Sequence, residues 1–499
     1  MLLGQKLALT ANQNSTKTAF RYLSKGTTYK EAYSYINRYS YFLQNEIGHN
    51  KKVLIYMSNC PHMAYTFFAL TNTRNLAVFI DPKTPDPKVI DRIKELEIHA
   101  VIVSDDYVGR VKEMVKANNL MTPVIQCEAR RWGEYDETYR LPVSVSASDS
   151  DVVTLFETSG MTGKPKLVPY THTMLQQVCL ALRTVYRPSS IDTFFSFQSS
   201  LAHPFYFVHG LLLPFMSGCG VLISDLTAPE EMAKELLEGK VTRVLIRALV
   251  IEEWLSGFRN LNIKIPTLRS LTPEYGQIDQ RTEDIAKEFN AKILNVYGSV
   301  ETCFATAARQ FEEPEPLDSV GQFLSGVKTR IIDDNGDDVP PGKTQKGQLI
   351  VSGQQIATGY FNNKEATKMN MRGPWFFTGD YVEVDKKGIV RFLDRKENIC
   401  KVVNENIVPK EVEKVLMECP GVERAAVLNL KDALGKFQLT AVITKKHGMD
   451  ISANDIHTFC ASKLKERQRP KNIAFMQEMP LDSHGMINKY KLRFEFGSN

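Results

Sequence analysis

The run Val152-Val153-Thr154-Leu155-Phe156 leads, through Glu157, into Thr158-Ser159-Gly160-Met161-Thr162-Gly163-Lys164-Pro165-Lys166. The first segment is short and apolar, so it reads as a buried strand. The second is small, hydroxylated, glycine-rich and basic. Such a loop can turn backbone N–H groups, hydroxyls and an ammonium onto one polyphosphate. A Walker A loop requires G-x-x-x-x-G-K-[ST]. Here Gly160 and Gly163 are only three apart and Pro165 follows Lys164, so the loop is not of that type.

On the N-terminal side, Tyr29, Ala32, Tyr35, Ile36, Tyr39 and Leu43 have helical spacing. Strands are expected at 52–57, 76–80 and 100–103, with helices at 61–72 and 91–97. On the C-terminal side a helix is expected at 172–186, then a strand at 221–224, a helix at 230–237 and a strand at 241–246. A helix at 279–289 leads into a strand at 292–296. This alternation predicts parallel sheet covered by helices. From about residue 320 strand-like alternation takes over, with turn signals at Asp334-Asn335-Gly336 and Lys386-Lys387-Gly388. After Asp394-Arg395-Lys396-Glu397 the pattern is mixed again: helices at 411–417 and 454–464, strands at 424–430 and 439–444.

The expected fold class is therefore α/β. A large N-terminal domain over 1–394 combines α/β subdomains with a small β-rich part over about 320–394. A small α+β domain occupies 395–499.

The 499 residues suit two or three domains. A formal net charge of +5, from 62 basic and 57 acidic residues, is too weak for this length to indicate nucleic acid. The 8 cysteines are scattered without a CxxC pair, which disfavours a metal site or a disulfide framework and makes a reducing cytoplasm the default. Residues 1–9 are too weakly apolar for a secretory leader. The most lipid-like segment, 205–223, holds His209, Gly210, Pro214, Gly218 and Gly220, and reads as a buried helix-turn-strand and not a membrane span.

Three further segments carry candidate chemistry. Tyr297-Gly298-Ser299-Val300-Glu301 places an aromatic beside a glycine, suited to stacking on a flat base, and a carboxylate able to hold a hard cation against phosphates. Trp375-Phe376-Phe377-Thr378-Gly379-Asp380 ends in an acid that can accept from two ribose hydroxyls, although by itself the segment reads better as an Asx-turn. Arg395 and Lys401 are basic residues near the expected domain junction. His203 and His209 lie in an apolar run and read as packed side chains.

The joint order of these segments, with Val320-Gly321, Gly359-Tyr360 and Pro409-Lys410-Glu411-Val412-Glu413, resembles the adenylate-forming superfamily: acyl-CoA synthetases, peptide-synthetase adenylation domains and luciferases. The resemblance runs from near the N-terminus to about Arg493 and is strongest to acyl-CoA synthetases. It implies a mobile C-terminal lid and two half-reactions, in which a carboxylate attacks the α-phosphate of ATP and a thiol then attacks the acyl-adenylate. It implies ATP, Mg²⁺ and CoA, with a fatty or aryl carboxylic acid as substrate. An acyl carrier protein is an alternative acceptor, and a nucleotide- or acyl-binding member with little catalysis is a third reading. By position, Thr158, Ser159, Gly160, Thr162, Gly163 and Lys166 would cradle phosphates. Tyr275, Gly276, Tyr297 and Gly298 would border adenine, Glu301 would bind the metal, Asp380 and Arg395 would hold the ribose, and Lys401 would contribute to nucleotide binding. Phe207 and Gly210 would border the acyl pocket, and Glu397 falls at the hinge.

Several positions depart from the family pattern. Met161, Leu167 and Val300 replace residues that are usually Ser or Thr, Gly, and Thr. Val403-Asn404 replaces a pair of small residues, and Glu274-Tyr275-Gly276 a more glycine-rich strand. Met486 stands where the family carries the Lys that bridges carboxylate and α-phosphate. A thioether has no charge to offer there, and losing such a donor costs on the order of several kcal/mol of barrier. Lys489 and Lys491 are the nearby cations that could substitute.

Overall fold

The computed structural model describes residues 1–127, 147–158, 165–274, 278–309, 315–342, 344–402, 405–431, 435, 437–482 and 486–497. They form two compact units, one of Met1–Lys328 with Ser352–Phe376, the other of Thr329–Val351 with Phe377–Asn499.

The first unit contains two sheets built on parallel strands. In one, the strands run in the order Val124–Gln126, Ala100–Val103, Lys52–Tyr56, Leu76–Phe79, Val152–Glu157, Leu167–Thr171. All neighbours are parallel except the last pair. Every residue of Ala100–Val103 is buried, which is why this strand reads as a continuous apolar run and not as alternation. In the other sheet the order is Lys292–Ile293, Ser270–Glu274, Arg243–Arg247, Thr193–Ser196, Gly220–Ile223, Thr18–Tyr22, Lys25–Thr28, again parallel up to the final hairpin.

Local chemistry sets the helix ends. Thr28 accepts from the Glu31 N–H while the Glu31 carboxylate accepts from the Thr28 N–H, a reciprocal cap for the helix Tyr29–Glu46. Thr171 caps His172–Tyr186, which stops at Arg187 in the left-handed region.

The antiparallel partner of Val152–Glu157 was not legible in the sequence. Residues 158–166 join two antiparallel strands, so the glycine-rich segment is a hairpin connection and does not open directly onto a helix. The expected helix-turn-strand over 205–223 is present as the π-helical turn Tyr206–Leu212, the helix Leu213–Met216 and the strand Gly220–Ile223. The expected helix at 91–97 begins earlier, at Asp86–Glu95, behind a proline in its first turn.

In the second unit the strand Val422–Lys431 pairs antiparallel with Phe437–Lys445, which pairs parallel with Asn472–Phe475. The helices Pro409–Met417 and Ala453–Lys463 contribute Val412, Leu416, Ile456 and Cys460 to a core on that sheet. The β-rich residues 329–351 and 377–394 belong to this unit by their contacts. The boundary expected at 394/395 thus falls inside this unit, not at its edge. All 8 cysteines are buried and unbonded. Among the described residues no helix is long and apolar enough to cross a membrane.

Candidate functional site

The hairpin connection is tied at its base by two hydrogen bonds. The Thr158 N–H donates to the Lys166 carbonyl at 2.9 Å, and the Lys166 N–H donates to Thr158 Oγ1 at 3.0 Å. Ser159, Gly160, Thr162 and Gly163 lie outside the described residues, as do Tyr275, Gly276 and the pair Val403-Asn404. Lys166 Nζ stands 4.9 Å from the centroid of the Tyr360 ring. The Tyr360 hydroxyl donates to Glu301 Oε1 at 2.6 Å. One aromatic side chain thus joins the loop's cation to the expected metal-binding carboxylate.

Glu301 is buried in the 3₁₀ turn Val300–Thr302. The turn is held from both sides. Tyr170 donates to the Val300 carbonyl at 2.5 Å, and the Ala357 N–H donates to the Glu301 carbonyl at 2.8 Å. Tyr170 belongs to the strand that follows the hairpin connection, so loop and turn share a scaffold. Gly298 has a steric reason: a Cβ there would fall 2.6 Å from Thr302 Oγ1 and 2.7 Å from Phe304 Cα. Tyr297, half-buried, ends a two-residue strand paired with Ala307–Ala308.

Phe207 is buried against Phe67, Phe79 and Phe156, with ring centroids 4.9, 4.9 and 5.3 Å away. A Cβ on Gly210 would collide with Ser196 Oγ, so the π-helical turn can approach its strand only with glycine there. His209 is buried between Tyr186 Oη at 3.0 Å and the Cys303 carbonyl at 3.2 Å. Burial lowers it to about 4, which keeps it neutral and fits a packed side chain. His203 differs. Its Nδ1 lies 3.1 Å from Oε1 of the buried Glu274. Burial raises the Glu274 carboxyl to about 7, partly offset by Tyr206 and Arg247.

In the second unit, Asp380 and Arg395 face each other across antiparallel strands. Arg395 Nη1 donates to Asp380 Oδ1 at 2.5 Å and to the Thr378 carbonyl at 3.1 Å. Asp380 sits inside the strand Trp375–Val384, where Gly379 takes a φ of +74° and the Asp380 N–H donates to Thr378 Oγ1. The turn expected at this acid is therefore a local kink within a strand. Lys401 is exposed and pairs with Asp334 at 3.5 Å. Glu397 lies in the 3₁₀ turn Lys396–Asn398, and its carbonyl accepts from Arg493 at 3.3 Å.

Lys489, half-buried, lies between Asp394 Oδ2 at 3.1 Å and Glu413 Oε1 at 2.8 Å. Desolvation works against its charge, but the two carboxylates outweigh it and raise its pKa. An ammonium held this way is committed to an internal ion pair, which weighs against its standing in for the missing cation. Met486 is exposed, and its N–H donates to Asp482 Oδ1 at 2.9 Å.

Residues 7–361 match the AMP-binding enzyme family and residues 411–485 its C-terminal domain. The chain belongs to the AMP-binding enzyme family. Curated relatives include a 2-succinylbenzoate–CoA ligase of Enterococcus faecalis, 23% identical over 96% of this chain and 95% of the relative. The medium-chain fatty-acid–CoA ligase of Escherichia coli is 24% identical over 71% of this chain and 62% of its own. Among solved structures, ATP-bound MatB from Rhodopseudomonas palustris superposes with a TM-score of 0.84 at 18% identity, covering 99% of both chains. The anthranilate–CoA ligase AuaEII with anthranoyl-AMP gives 0.82 at 20% identity, over 100% of this chain and 97% of that one.

Within the family frame, Tyr360 is the residue that sequence reading undervalued. It stood out only as half of a linking pair with Gly359, while its geometry makes it the bridge between Lys166 and Glu301. Mg²⁺ fits the donor set. Glu301 offers a hard carboxylate whose Oε1 is already oriented by Tyr360. Among the described residues no group of three or more His, Cys, Asp or Glu side chains gathers to hold a metal.

Proposed function

We propose that the protein activates a fatty or aryl carboxylic acid with ATP and passes the acyl group to the thiol of coenzyme A. The observation that carries this reading is the linkage of Lys166, Tyr360 and Glu301 at the base of the hydroxyl-rich hairpin connection. The named activities of the relatives, ligation of aryl and fatty acids to CoA, support it.

In the first half-reaction a carboxylate oxygen bonds to the α-phosphorus as the bond to pyrophosphate breaks. In the second a thiolate attacks the mixed anhydride and AMP leaves. The reaction needs charge stabilisation more than covalent help. Lys166 and Thr158 would meet phosphate oxygens, and Glu301 would hold Mg²⁺, which supplies neutralising charge when bound. Asp380 would accept from the ribose hydroxyls with its carboxylate oriented by Arg395. Residues 395–499 would act as the lid, turning at Glu397.

A second reading, favoured by Met486, is a member that binds nucleotide and acid but adenylates slowly. One assay separates the two. Pyrophosphate release is measured with a panel of aryl and fatty acids, followed by CoA-dependent AMP formation. Release with an acid, followed by CoA-dependent AMP, is expected. Absence of release with every acid, in the natural protein and in Met486→Lys alike, would overturn the ligase reading.

A further inference from the structure

Glu274 ends the strand Ser270–Glu274 at the carboxyl edge of the parallel strands, the edge where open α/β sheets receive ligands. It is 6% exposed. His203, 3.1 Å away, precedes the π-helical turn Tyr206–Leu212 that carries Phe207 and Gly210. The buried Tyr206 hydroxyl stands beside the same carboxylate and makes no well-aligned hydrogen bond. Rings pack around His203 and its helical turn. The His203 and Phe205 rings lie 5.8 and 5.6 Å from Phe304, three residues beyond Glu301.

A buried carboxylate is costly unless its oxygens are engaged. His203 Nδ1 stands 3.1 Å from one of these oxygens, at ion-pair distance. Arg247, in register on the neighbouring strand, tempers the charge. Packing alone would be served better by an apolar side chain of the same volume.

We propose that Glu274, set beside His203, is a specificity-determining acceptor for acyl substrates that carry an amino or hydroxyl group remote from the reacting carboxyl. The inference rests on the acid-activating reading above and narrows it. The apolar run over 205–213 supplies the walls of the acyl pocket, and Glu274 and Tyr206 supply its polar end. A site built to accept such a donor rejects the analogue lacking it, because the buried acceptor is then left unpaired.

The test uses matched acids on two scaffolds: para-hydroxy- and para-aminobenzoate against para-methylbenzoate, and an ω-hydroxy fatty acid against its ω-methyl analogue. The natural protein, Glu274→Gln and Glu274→Leu are compared by kcat/KM for pyrophosphate release. The donor-to-methyl ratio on the preferred scaffold is expected to be roughly ten-fold or more in the natural protein. It is expected to shrink in Glu274→Gln and to fall to about one or invert in Glu274→Leu. Each ratio is taken within one protein, so a loss of folded material cancels. A ratio near one in the natural protein, or one unmoved in Glu274→Leu, overturns the proposal. If no acid releases pyrophosphate, in the natural protein and in Met486→Lys alike, the ligase reading fails, and calorimetric binding of the same acids decides this one. Donor-selective binding sustains it, and equal or absent binding overturns it.

Discussion

The Tyr360 hydroxyl donates a 2.6 Å hydrogen bond to the buried carboxylate of Glu301 while its ring faces the Lys166 ammonium. A single side chain therefore sets the position of the acid and the environment of the base. Tyr360→Phe keeps the ring and removes the hydrogen bond. It is expected to lower kcat for pyrophosphate release by about ten-fold and to cost about 1.5–3 kcal/mol of stability, the range for hydrogen bonds to charged groups. Steady-state kinetics and urea unfolding read the two effects separately.

Gly298 lies where any Cβ meets backbone as well as side chain. Because Phe304 Cα and Ala305 N cannot swing aside, Gly298→Ala should shift the Glu301 turn. A loss of roughly 1–3 kcal/mol is expected, in the range for overpacking, with weaker metal dependence of activity. Thermal unfolding and an Mg²⁺ titration of the rate check it.

Asp380 is oriented by Arg395 through a charge-assisted bond. Arg395→Ala frees that carboxylate and removes a cation from its side. Calorimetric affinity for AMP is expected to fall by roughly ten-fold, as for loss of one charged hydrogen bond. Unchanged affinity would remove this pair from the nucleotide site.

Met486→Lys introduces the missing cation at an exposed position. Single-turnover pyrophosphate release is expected to rise by roughly ten-fold or more, a fraction of what one charge-stabilising donor supplies. Lys489→Met tests the opposite assignment. It leaves Asp394 and Glu413 buried without their shared cation, which predicts a loss of roughly 3–5 kcal/mol in unfolding free energy. A large rate loss with stability intact would restore Lys489 as a catalytic cation.

Glu274 links stability to pH. Its folded-state carboxyl is raised from 4.5 to about 7, chiefly by burial. The folded protein therefore holds the proton more tightly than the unfolded chain. This contribution is fully present below about pH 4.5 and is lost as pH rises through about 7. The size is about 3 kcal/mol from 1.36 kcal/mol per unit. Glu274→Gln should flatten the decline of unfolding free energy over that window. A curve parallel to that of the natural protein would refute the raised carboxyl.

The alternation of strand and helix over residues 52–103 was legible because buried parallel strands are short apolar runs separated by helical spacing, as at Ala100–Val103. Asp380 was legible as an acid after a turn and Arg395 as a basic residue near the expected domain junction. Their pairing was not, because it depends on the register of two antiparallel strands. Lys489 reads as a spare cation in the chain and becomes an internal counter-ion once Asp394 and Glu413 converge on it from distant positions.

By itself the sequence determined the α/β class, the family, and the order of hydroxyls, glycines, acids and bases along the chain. Spacing and side-chain chemistry are local properties and survive in one dimension. Tertiary structure alone decided that residues 158–166 close an antiparallel hairpin, that Tyr360 stands between Lys166 and Glu301, and that Glu274 is buried against His203. Burial and the meeting of side chains far apart in sequence arise only when the chain packs, and they determine how firmly a charge is held.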